Sequence, residues 1–210
     1  YYSNVLKQVN SGLPSNEFIV LMEKFYQQHF DEYNLIPSLT IPPTMGFGVQ
    51  YRLNNKTKIF NAFGSLGIQN YLGNAKPNMG FGNKDKLREL STHEFGHSFV
   101  NHVIDSIDNE LIAQTEKLFI PVKSGMVKQG YTTWRICLYE HFVRAGEIII
   151  ANNLGNKAGA EQLRFDYIIK RKFIYLPVII KVLERYNTEH NTSYPEAVKT
   201  AIQKLNSLPE

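Results

Sequence analysis

The sequence predicts an α+β protein. A small mixed N-terminal lobe with a short antiparallel sheet precedes a mainly helical C-terminal lobe. Three observations lead there. Residues 47–53 and 57–63 are short runs of strand character around Asn54-Asn55, a turn signal. Residues 64–83 hold Gly64, Gly67, Gly73, Gly80 and Gly82, with Gly46 and Gly48 a little upstream, and read as loop. From Lys84 onward, apolar residues recur at helical spacing almost to the end of the chain.

The elements follow in order. Residues 15–30 place Phe18, Ile19, Leu21, Met22, Phe25 and Tyr26 on a helical recurrence, with Ser15 as the capping candidate. Pro37, Pro42 and Pro43 then interrupt the chain, and the two strands pair as a hairpin. Helices are expected over 84–107, 109–119, 131–154, 159–170, 173–188 and 195–207. Pro121 and Gly125 separate the second from the third, and Pro195 suits the first residue of the last.

Composition narrows the function. Apolar residues make up 43% and charged residues 20%, ordinary for a soluble globular chain. The net charge is only +4, and the densest basic cluster is Lys170-Arg171-Lys172. That is no basic stripe, so a nucleic-acid partner is not expected. The stretch 173–183 is apolar but contains Pro177 and Lys181 and is too short to cross a bilayer. Cys137 is the one cysteine, so neither an internal disulfide nor a Cys-rich metal site can form. Trp134, Ile136 and Leu138 around it suggest a buried thiol. Any metal site must draw on histidines and carboxylates.

One motif does so. His93-Glu94-Phe95-Gly96-His97 lies in a stretch whose Leu87, Leu90, Phe99, Val103, Ile104 and Ile107 form a helical apolar stripe. Histidines four apart on a helix share a face and can reach one metal ion. A glutamate after the first of them can lie beside an open metal position and accept a proton from water there. The bland alternative is a surface helix with two exposed histidines.

A catalytic zinc site needs a third protein ligand. The residues after His97 do not continue as HxxGxxH, so that ligand comes from farther along the chain. An apolar helical stretch from Trp134 carries Glu140, His141, Arg144 and Glu147, and Glu140, Arg144 and Glu147 share a face at i, i+4 and i+7. Charges on the core side of such a helix need partners. Glu140 is the first candidate ligand, with Glu147 and His141 as alternatives. A plain Glu140–Arg144 surface ion pair is the bland reading. Tyr131 and Arg144 are candidate donors to a developing oxyanion.

HEFGH, followed on a second helix by a glutamate, resembles the gluzincin branch of the zincin metallopeptidases. HEFGHSFVN with YEHFVRA downstream resembles the bacterial DUF4932 family over roughly residues 45–150. The resemblance implies a zincin-like fold and a Zn2+-dependent peptidase, with His93, His97 and Glu140 as ligands and Glu94 as general base. It implies a peptide or protein substrate and one catalytic domain over 1–210, with lobes 1–83 and 84–210. Taken with the start at Tyr1, it also suggests an exported mature domain. Two departures stand out. Glu140 lies 43 positions after His97, which requires a helical excursion over 98–130. Arg144 stands where some gluzincins place an aspartate that orients a ligand histidine, so Asn101 or Glu147 would have to serve. Zincins also hold substrate along an edge strand; 57–65, reading TKIFNAFGS, is the candidate. The competing functions are a catalytically inactive zinc-binding interaction domain and a metal-free helical binding protein.

Overall fold

A computed structural model describes residues 1–70, 72–73 and 77–208. It is α+β, with a three-stranded mixed sheet and a helical C-terminal region. The helices are α1 (Tyr2–Ser11), α2 (Glu17–Tyr26), α3 (Lys84–Asp105), α4 (Asn109–Gln114), α5 (Lys123–Lys128), α6 (Trp134–Asn153), α7 (Lys157–Phe165), α8 (Leu176–Glu189) and α9 (Tyr194–Asn206). A 3-10 turn, Glu116–Phe119, follows α4, and a π-helical turn, Asp166–Lys170, extends α7. The strands are β1 (Glu32–Pro37), β2 (Gly46–Leu53) and β3 (Lys56–Phe63). Two compact units divide the chain: Tyr1–Met22 with Gln28–Ser98, and Glu23–Gln27 with Phe99–Glu210. Of the three breaks, 22/23 falls inside α2 and 98/99 inside α3, while 27/28 lies just after α2. Among the described residues no helix is long and apolar enough to cross a membrane.

In the first unit the predicted hairpin forms, with β2 and β3 antiparallel. Asn54 and Asn55 both take positive φ, at 51° and 60°, as a two-residue hairpin turn requires. The sheet order is β1-β3-β2, with β1 parallel to β3. This corrects the expectation for 57–65: β3 is the central strand, hydrogen-bonded on both sides, and cannot be a substrate-binding edge. Alternation puts Ile59, Asn61 and Phe63 on the buried face, while Phe47, Val49, Tyr51 and Leu53 of β2 stand about half exposed on the other.

The glycine-rich stretch is folded into this unit, and four of its positions lie outside the described residues. Leu66, Met79 and Phe81 join Val5 and Val9 of α1, Phe63 and Leu87 in one core cluster. Gln8 Oε1 accepts from the backbone N–H groups of Met79 and Phe81, at 3.2 and 3.1 Å, and ties the loop to α1.

In the second unit α6 is the central element. It is buried on every side, with α7 and α8 packed against it and α9 on α8. Its N-cap is Thr133, whose side chain accepts from Ile136 N, so Tyr131 lies before the helix and not inside it. Gly125 falls within α5, where a separator was expected. Pro195 is the second residue of α9, behind a Ser193–Glu196 capping box. The C-terminal end of α2 belongs here. Tyr26 stacks on Phe99 with ring centroids 4.7 Å apart and meets Tyr194 edge-on at 5.0 Å.

Gly146 makes room for that ring, since a Cβ there would stand 2.1 Å from the Tyr26 hydroxyl. The hydroxyl is buried and has no hydrogen-bond partner among the described residues. Gly146→Ala should therefore destabilise the protein by about 1–3 kcal/mol through overpacking. Tyr26→Phe alone should be near neutral, since it removes an unsatisfied polar group. The double variant should recover part of the loss. Urea unfolding of the four proteins checks this, and simple additivity would refute the clash.

Candidate metal centre

α3 holds His93 and His97 one turn apart, ring centroids 4.9 Å from each other and planes nearly perpendicular at 84°. Both are half-buried, whereas Glu94, Phe95 and Gly96 between them are buried. The sheet's buried face lies on this helix. Asn61 Nδ2 donates to Ser91 Oγ at 3.1 Å, with both residues fully enclosed. β2 crosses the helix at its two glycines. A Cβ at Gly48 would fall 2.1 Å from the Glu94 carbonyl oxygen, and one at Gly46 would fall 2.9 Å from Glu94 Oε1. Only glycine allows so close an approach. Strand backbone, not a side chain, therefore covers the Glu94 carboxylate.

α6 supplies the other half of the chemistry. Glu140, Arg144 and Glu147 lie on one face and are 7%, 3% and 5% exposed. Isolated charges at that depth would be costly, and here they satisfy one another. Arg144 Nη2 donates to Glu140 Oε2 at 2.7 Å, and Nη1 stands 3.8 Å from Glu147 Oε2. The guanidinium also lies over the Tyr167 and Phe173 rings, 4.6 and 4.7 Å from their centroids. Tyr167 donates to Glu147 Oε1 at 3.1 Å. Burial pulls the Arg144 pKa down, but the Glu140 and Glu147 carboxylates outweigh it and hold the group charged.

One ligand atom from each of His93, His97 and Glu140 lies within 4.8 Å of the others, and this group could hold a metal ion. The donor set, two imidazole nitrogens and a carboxylate oxygen, suits a divalent transition metal with a coordination position left open. The three candidates for the third ligand part company. Glu140 joins the histidines, and Glu147 is engaged by Tyr167 and Arg144. His141 faces the apolar core, where its ring meets Phe173 at 4.8 Å and Tyr175 at 5.9 Å. The other histidines, His29 in the loop after α2, His102 and His190, are all exposed.

The two candidate oxyanion donors sit beside Glu140. Arg144 gives hydrogens to Glu140 Oε2 and, at 3.0 Å, to the Tyr131 hydroxyl. Tyr131 accepts a second bond from Arg171 Nη2 at 2.8 Å. Sequence reasoning missed Arg171, Tyr167, Gly46 and Gly48. Only the glycines carried a signal, a Gly-x-Gly pair at the start of a strand pattern, which marks a close backbone approach.

Fold and site together define an α+β chain with a two-histidine, one-glutamate group able to take a metal. The chain belongs to the family described as Domain of unknown function (DUF4932), which it matches over residues 1–199. The match extends well beyond 45–150, taking in α1, α2 and β1 as well as the helices after α6. No curated protein and no solved structure matches the chain.

Two further buried groups on α6 lie close to the face that carries Glu140. Burial, reinforced by the Glu140 charge, pushes the Cys137 thiol up to about 12. His141 donates from Nδ1 to the Cys137 carbonyl at 2.7 Å, and burial lowers its pKa to about 4. Below pH 6.5 the unfolded chain takes up a proton at this ring that the folded chain refuses until about pH 4. Stability tied to neutral His141 is thus full above pH 6.5 and is lost as pH falls towards 4, by about 3 kcal/mol. Urea unfolding with a chelator present, from pH 7 to 4, should show this slope. His141→Gln should flatten it by about one proton; an unchanged slope would mean that the folded ring is already charged.

Proposed function

We propose that this chain is a Zn2+-dependent peptidase that hydrolyses peptide bonds, with His93, His97 and Glu140 as metal ligands and Glu94 as general base. One observation carries the reading: the three ligand atoms converge, and the residue next to one of the ligands is a buried glutamate. A purely structural metal site needs no such glutamate, which weighs against the inactive alternative. When bound, zinc supplies Lewis acidity, polarising a carbonyl and lowering the pKa of water at the site to roughly 7.

The chain's own residues do the rest. Glu94 takes a proton from the attacking water and passes it to the leaving amine. Arg144 positions Glu140 by holding Oε2. A carboxylate held by one oxygen can offer the other to an ion, at an angle fixed by the guanidinium.

An extended peptide has a natural seat on β2, an edge strand of the sheet. Gly64 N donates to Met45 O at 3.0 Å, and the ladder alternates from there. Gly46, Gly48, Gln50 and Arg52 therefore turn their backbone groups away from β3. A peptide added along that edge would bring its backbone beside the Glu94 carboxylate, with glycines in place of obstructing side chains.

Two substitutions test the proposal, using zinc content and cleavage of a peptide library rich in aromatic and aliphatic residues. His97→Ala should abolish stoichiometric zinc binding. Glu94→Gln should keep zinc and lower turnover by about 10²–10⁴-fold, as expected for loss of a general base. Zinc retained by His97→Ala would refute the ligand set, and undiminished cleavage by Glu94→Gln would refute the mechanism.

A further inference from the structure

The charges around Glu140 are unevenly paired. Arg144 faces two carboxylates, but Arg171 has none: among the described residues no aspartate or glutamate pairs with it. Arg171 is half-buried and has no carboxylate in direct contact among the described residues. Its contacts hold it in place without neutralising it. Arg171 Nε donates to Gln129 Oε1 at 2.9 Å, and Gln129 Nε2 donates back to the Arg171 carbonyl at 3.0 Å. The guanidinium also lies 5.5 Å from the Phe173 ring centroid. The segment is fixed as well. Arg171 caps the π-helical turn, and Lys172 takes a φ of 63°, unusual for a residue with a side chain.

Tyr131 presents the complementary feature. Its hydroxyl oxygen accepts from Arg144 and from Arg171, so both lone pairs are used. Its own hydrogen has no acceptor among the described residues. Tyr131 is also half-buried, so the oxygen is not sealed in the core. An O–H and a guanidinium edge, 2.8 Å apart and both with hydrogens to give, form a cradle for an anion. A planar carboxylate matches it best, with one oxygen on each donor.

We propose that Arg171 and Tyr131 form a carboxylate-binding subsite, linked through Arg144 to Glu140. Assigning this carboxylate to a peptide substrate rests on the hydrolase reading; the anion site itself does not. The carboxylate is either the α-carboxylate at a chain end or the side chain of an acidic residue. The first would make the enzyme cut near C-termini, and the second would give it a preference for acidic peptides.

The test is binding, followed by NMR titration of the metal-free and the zinc-loaded protein. Three probes separate the sources: N-acetyl-Ala-Phe with a free carboxylate, the same peptide as its amide, and N-acetyl-Ala-Glu amide. One or both carboxylate probes should bind roughly tenfold or more tightly than the Phe amide, the scale of a charge-assisted bond. Arg171→Gln should bring that ratio to near one while leaving zinc content unchanged. Tyr131→Phe keeps the ring and should lower the ratio severalfold, which keeps the test open if Arg171→Gln does not fold. Equal binding of all three probes by the unsubstituted protein would overturn the proposal, as would a ratio unchanged in both variants. Selective binding by the metal-free protein would support the subsite even if the zinc and Glu94 experiments failed.

Discussion

A guanidinium almost out of reach of water sets the terms for this site. Arg144 is 3% exposed, and its charge can exist there only with carboxylates on both sides. Glu140 and Glu147 are held in turn, because any rotamer that left Arg144 would strand three charges in the core. Tyr167 and Phe173 close over the guanidinium faces and bring the segment after α7 into the same arrangement. The Glu140 side chain, otherwise flexible, is thereby fixed from behind. Burial of the network holds Glu140 in one orientation, which suits a side chain that could take a metal ion.

A different constraint acts on the α3 side. There the sheet comes close because two side chains are missing. Gly46 and Gly48 let strand backbone touch the helix at Glu94, and its carboxylate is shielded by peptide groups that cannot swing aside as a side chain would.

Much of this was legible in the sequence, for reasons that can be named. HExxH needs only helical spacing, and the hairpin needs only Asn54-Asn55 between strand patterns. Glu140 was visible because charges on an apolar helix demand partners. What was not legible depended on distant pairing. β1 shows little alternation and is defined by its parallel neighbour β3, so the sequence made β3 look like an edge. In α1 only Val5 and Val9 are buried, too few to mark a helix against polar surroundings. Arg171 lies in the modest basic run Lys170-Arg171-Lys172, which reads as solvated surface. Nothing in one dimension says that its middle member turns towards Tyr131.

Cys137 gives the molecule an unplanned use. It is the one cysteine in the chain, fully enclosed on α6, with its thiol pushed up to about 12. In the folded state it has neither the access nor the thiolate fraction to react with an alkylating reagent at neutral pH. Modification therefore requires α6 itself to come out of the core. The rate at which a maleimide consumes the native protein is thus a clock for its rare excursions to the open state. It needs no engineered probe, and any ligand that holds α6 in place would slow it.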